Sequence, residues 1–156
     1  MVRLSAVILP LLFLVSACKS PQTTKTSSFK DSLISMRTTP CFGRCPVYEL
    51  EIQSDGMVEF MGKQYCTKMG AYSKQLSPEK TKALFESLMA SNFFERPDAY
   101  DEPTIADLSS TFLGFKHQGQ EKTINCRYNI PIEIKEILRE LRHLAESDGW
   151  TAKTNE

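Results

Sequence analysis

Short alternating segments dominate the chain from Ser32 onward. Leu33–Thr38 reads as a first strand, and after it Tyr48, Leu50 and Ile52 alternate with Glu49, Glu51 and Gln53, the period-two pattern of a strand with one buried face. Asp55-Gly56 supplies residues that tolerate positive φ in a tight hairpin, and Val58 and Phe60 carry the apolar face back. A further strand of this meander is predicted within Tyr65–Ser73. Ser77-Pro78-Glu79 then offers an N-cap, a proline at the first helical position and an acid in the first turn, ahead of the stripe Leu84, Phe85, Leu88 and Met89. Phe93-Phe94 is expected to plug the sheet. A loop over 95–107 leads to a second hairpin, Thr111–Lys116 and Lys122–Tyr128 about Gln118-Gly119-Gln120. The last helix follows Pro131, with Ile134, Ile137, Leu138, Leu141 and Leu144 at three- and four-residue spacing.

The predicted order is β-β-β-α-β-β-α. Hairpin-length links imply antiparallel pairing, so the expected fold is α+β: an antiparallel sheet of about five strands with two helices packed on one face. The domain is expected over 32–148, with a disordered tail over 149–156.

The amino terminus alters this picture by placing the domain. Arg3, an apolar run from Ala6 to Val15 and the small residues Ser16-Ala17 precede Cys18. The run is short of the roughly 20 residues that span a bilayer, so it reads as an export signal over 1–17. Val15-Ser16-Ala17-Cys18 resembles the lipobox of bacterial lipoproteins, which implies cleavage before Cys18 and lipidation of its thiol. Residues 18–31, polar and rich in Ser, Thr and Lys, then form a flexible tether. Lys19, rather than Asp, after the lipidated cysteine points to the outer membrane, on its periplasmic face. Of 19 basic residues only Arg3 lies in the signal, against 19 acidic residues in the remainder. A near-neutral chain without a basic stripe gives no reason to expect nucleic acid. The expected partners are the membrane, through the lipid anchor, and an unidentified envelope protein.

Cysteine usage adds the candidate chemistry. Besides Cys18 the chain has Cys41, Cys45, Cys66 and Cys126, an even number for an oxidising compartment. Of the three possible pairings, Cys41–Cys45 with Cys66–Cys126 is favoured. Residues four apart on an extended strand lie roughly 13 Å apart, so the first bond demands a turn, for which Gly43 is available. The chain-entropy model assigns about 2 kcal/mol to that short loop and about 4 kcal/mol to the long bridge.

The segment from Thr39 to Tyr48 (TPCFGRCPVY), the Asp55-Gly56 hairpin, the Ser77-Pro78-Glu79 helix start, Phe93-Phe94, Tyr100 and Asp107-Leu108 together resemble an uncharacterised domain family of envelope lipoproteins common in Bacteroidetes-type bacteria. The resemblance covers roughly 32–147 and implies no activity. It points to a non-enzymatic binding or structural module, with the tip Phe42-Gly43-Arg44 as the first place to seek a partner.

Two other chemistries compete. Cys41-x-x-x-Cys45-Pro46 is similar to the CxxxCP of copper chaperones with thioredoxin folds, and soft thiolates at that spacing suit Cu(I). Those proteins continue into a helix and supply a histidine. Here an alternating strand follows, with His117 expected at a turn and His143 on a solvated helix face. Asp98, Asp101, Glu102 and Asp107 offer hard oxygen ligands but no EF-hand spacing. No metal, no cofactor and no catalytic residue is therefore assigned. Tyr48, Phe42, Tyr65 and Tyr72 are candidates for a binding surface or for the core.

Overall fold

A computed structural model describes residues 29–154 apart from Ala106. The expected signal, the lipidation at Cys18 and most of the tether lie outside the described residues. Eight strands form one sheet: β1 (Leu33–Thr38), β2 (Val47–Gln53), β3 (Met57–Gln64), β4 (Gly70–Gln75), β5 (Ala99–Tyr100), β6 (Thr111–His117), β7 (Gln120–Cys126) and β8 (Thr151–Ala152). Their spatial order is β5-β7-β6-β1-β2-β3-β4-β8, and only the β5–β7 pair is parallel. Two helices, α1 (Pro78–Ala90) and α2 (Ile132–Glu146), share one core with the sheet. The α+β class holds, and the sheet is larger than expected.

Alternation decides which face is covered. Ile34 and Met36 of β1, Leu50 and Ile52 of β2, Val58 and Phe60 of β3, Leu113 and Phe115 of β6 and Ile124 of β7 are buried, together with the apolar stripes of both helices. Ser77 caps α1 by accepting from the Lys80 amide at 3.3 Å. Thr81 joins Leu84, Phe85 and Leu88 on the buried stripe of α1, whereas Met89, expected there, is exposed. Gly56, at φ +88°, closes the β2–β3 hairpin as its position after Asp55 predicts.

Three expectations are corrected. Residues 149–152 do not fray: Trp150 packs on Phe60 at 5.5 Å between centroids, and Thr151 and Ala152 pair with Ser73 and Tyr72. The domain also begins before residue 32, because Phe29 is buried and stacks on Phe85 at 5.3 Å. An aromatic side chain in an otherwise polar stretch gains more from this burial than from a place in the tether. His117 ends β6 at the hairpin, as expected, but is buried rather than turned to solvent. It shares the inward face with Leu113 and Phe115, lies stacked on Phe115, and its Nδ1 is 2.8 Å from the Ser32 hydroxyl. This bond fastens the entry of the domain. Ser32→Ala leaves a buried imidazole nitrogen without its partner and is expected to cost about 1–3 kcal/mol in denaturant unfolding.

Candidate functional site

The antiparallel register gathers several strand ends at one end of the sheet. Thr38 ends β1 opposite Thr111 at the start of β6, which pairs with Cys126 at the end of β7; Tyr48 near the start of β2 faces Gly62, which pairs with Gly70 at the start of β4. The cysteine turn crosses this end, between β1 and β2. Its base is clamped twice. Thr38 Oγ1 donates to the Pro46 carbonyl at 2.8 Å and accepts from the Tyr48 amide at 3.0 Å, while Thr39 Oγ1 accepts from the Ser110 amide at 2.8 Å.

Cys41 and Cys45 form the expected disulfide, with Cα atoms 5.7 Å apart. The Gly43 amide donates to Cys41 Sγ at 3.2 Å. Gly43 is not in a left-handed conformation, and an added Cβ would meet only Cys41 Sγ, at 3.8 Å. The bend is therefore held by the disulfide and the clamped base rather than by glycine's freedom. Phe42 is 94% exposed at the apex, and Gly43 and Arg44 are exposed beside it. Burying this phenyl ring against a partner would be favourable by about 2 kcal/mol.

The second bridge is absent: Cys66 and Cys126 are free thiols. Cys66 Sγ lies 3.2 Å from the Val47 carbonyl, at the start of β2, and Cys126 is on β7. β1 and β6 intervene, so the two thiols are separated by three strand spacings, roughly 14 Å. A disulfide needs Cα atoms within about 7 Å. Parity could not reveal this, because pairing is decided by strand order.

Beside the turn is a cavity of about 50 Å³, walled by Pro46, Tyr48, Phe60, Tyr65, Cys66 and Ala145, with Lys68 and Glu146 also lining it. Tyr48 and Tyr65 were aromatic candidates from the sequence. Lys68, Ala145 and Glu146 carried no signal, because a turn and a distant helix end bring them there. Burial pushes the Tyr48 phenol up to about 12, with the Arg142 guanidinium opposing the shift and Glu146 and Cys66 adding to it. The consequence for stability has a definite sign. The folded pKa lies above the unfolded value of 10.0, so the neutral phenol's contribution is complete below pH 10 and is lost as pH rises toward 12. Alkaline unfolding of Tyr48→Phe should lose that part of the slope, a difference of about 2–3 kcal/mol by pH 12.

The carboxylates proposed for a hard cation are spent separately. Asp98 pairs with Lys122 at 2.9 Å and Asp101 with Arg127 at 3.0 Å. Glu102 accepts from the Thr104 hydroxyl and amide, which lowers its pKa; Asp107 is exposed. Among the described residues no three Asp, Glu, His or Cys side chains gather closely enough to hold a metal. His143 is exposed on α2, as expected, and lines a larger open groove of about 560 Å³ between α1 and α2 that shares no residue with the cavity. Burial raises the Cys126 thiol to about 11, which makes it a poor nucleophile.

The fold and the turn thus define a two-helix α+β domain with a disulfide-closed apical loop. The chain belongs to the DUF6438 family, a domain of unknown function, whose family model matches residues 32–145. A comparison with curated proteins finds no match.

Proposed function

We propose that this chain is a membrane-anchored envelope lipoprotein of the Bacteroidetes type, and that its domain is a non-enzymatic binding module contacting a protein partner through Phe42-Gly43-Arg44. The observation that carries the reading is the 94% exposure of Phe42 on a disulfide-closed loop. Loops of this kind lose little conformational entropy on docking, and aromatic and arginine side chains are favoured anchors at protein interfaces. The TPCFGRCPVY segment from Thr39 to Tyr48 that marks the resemblance is the same loop with its two clamped ends.

Geometry supports the orientation. The Ser32 amide donates to the Phe29 carbonyl at 3.0 Å where the chain enters β1, and the cysteine turn begins after Thr38. The strand between them spans roughly 20 Å. In this reading a tether from a lipidated Cys18 joins the domain at the end of β1 opposite the tip, so attachment there leaves Phe42 accessible to a partner. The copper-chaperone alternative draws no support from this geometry, since both thiols of the CxxxCP segment are joined to each other.

Site-specific photo-crosslinking in intact envelopes tests the reading. A photoreactive residue at position 42 should give a discrete protein adduct, and the same residue at exposed Lys80 on α1 should not. Equal labelling from both positions, or none from position 42, would remove the tip as the contact.

A further inference from the structure

The face of the sheet turned away from the core carries polar chemistry that the tip does not use. Ile34, Met36, Leu50 and Leu113 point into the core, so Ser35, Arg37, Glu49, Glu51, Phe112 and Gly114 lie on the other face. Register sets them in two rows. Phe112, Arg37 and Glu49 are neighbours in one, and Thr123, Gly114, Ser35 and Glu51 in the next. The second row is low, because its middle positions are glycine and serine. A Cβ on Gly114 would stand 2.2 Å from Ser35 Oγ and 3.3 Å from Thr123 Oγ1, so the bare glycine lets these two hydroxyls share the floor.

Above that floor is a cavity of about 380 Å³, lined by Ser35, Arg37, Glu49, Glu51, Phe112 and Thr123. It falls within the roughly 300–1,000 Å³ of small-molecule sites. A second depression of about 270 Å³ continues from it past Glu49 and Glu51, which gives a longer ligand room to extend. The charges of the lining are separated rather than paired. The Arg37 guanidinium does not bridge to Glu49, its neighbour in register; it lies over the Phe112 ring, 4.2 Å from the centroid, while Glu49 bonds Lys63 at 2.5 Å. Glu59, opposite Glu51, is taken by Lys153. Arg37 and Glu51 therefore both line the cavity with no ion pair among the described residues.

Such a lining selects by donor and acceptor. A ligand hydroxyl accepts from a guanidinium and donates to a carboxylate, and both bonds are charge-assisted. A ligand of net charge meets one wall of its own sign. Several hydroxyls on one ring answer Arg37, Glu51, Ser35 and Thr123 together. We infer that this face of the sheet binds a neutral saccharide, with Arg37 donating to its hydroxyls, Glu51 accepting from them, and Ser35 and Thr123 bonding it from the floor. The inference is independent of the tip, which shares no residue with this cavity.

The full chain, labelled with nitrogen-15 in octaethylene glycol dodecyl ether micelles whose head groups carry no sugar, is titrated with maltose, lactose, cellobiose and diacetylchitobiose. At least one should shift the amides of Ser35, Glu51, Gly114 and Thr123 in a saturable way. Arg37→Gln and Glu51→Gln should each weaken that binding by about tenfold, the loss of one charge-assisted hydrogen bond, and Lys80→Ala on α1 should leave it unchanged. Both cavity side chains are exposed, and thermal melting establishes that each variant is folded. No shift at those amides with any of the disaccharides would overturn the site, as would binding that both variants retain in full. Tighter binding of glucuronate, glucosamine or glycylglycine, titrated in the same way, would overturn the assigned neutral chemistry.

Discussion

Replacing Phe115 with alanine should lower the unfolding free energy by about 3–5 kcal/mol, the range for deleting a fully buried aromatic ring. Phe115 is 1% exposed on β6, near the middle of the sheet, and its ring meets Phe85 of α1 at 6.1 Å, Phe93 at 5.8 Å, Phe94 at 5.2 Å and His117 at 5.8 Å. The 3₁₀ turn Phe93–Glu95 places two of these rings against it, in the plugging role read from the Phe-Phe pair. Loss of Phe115 therefore empties the junction of helix, turn and sheet at once. Little room exists for repacking, since Phe85 and Phe93 are themselves fully buried. Urea unfolding of the variant gives the number directly. A loss below 1 kcal/mol would mean that neighbouring rings collapse into the space.

Gly62→Ala should be nearly as damaging, by about 3 kcal/mol, for the opposite reason of overfilling. An added Cβ would sit 1.9 Å from the Lys68 carbonyl oxygen and 3.1 Å from the Phe60 ring. The first contact is with backbone, so no rotamer change relieves it. The chain over 65–69 must move, taking Cys66 and Lys68 with it and distorting the cavity beside Tyr48. The same urea measurement, with amide chemical shifts of Cys66 and Thr67, separates this from simple loss of a strand. Unchanged stability and shifts would contradict the close packing of this turn on β3.

These two positions show what was legible in the sequence. Phe115 could be read from the alternation Leu113, Phe115, and the same period continued one step identifies His117 as inward-facing; the adjacent Gln118-Gly119 turn obscured it. Gly62 could not, because its constraint comes from a turn folded back over it. Both helices, the Asp55-Gly56 hairpin and the α+β class followed from local periodicity and capping. The strands β5 and β8, two residues each, carry no period and exist through pairing with β7 and β4. The Cys41–Cys45 bond was readable because its geometry is local, whereas the Cys66–Cys126 bridge failed on strand order. The candidate site divides likewise: the tip was visible in sequence, and the cavity beside it was not.

Residue-resolved alkylation tests the central claim most directly, that the cysteine turn is a structural disulfide presenting a tip rather than a thiol centre. In the folded chain without reductant, the account predicts labelling of half-buried Cys66 alone; Cys126 should react only after denaturation, and Cys41 and Cys45 only after reduction, with no retention of added Cu(I). Labelling of Cys41 and Cys45 in the untreated fold, together with bound Cu(I), would contradict it.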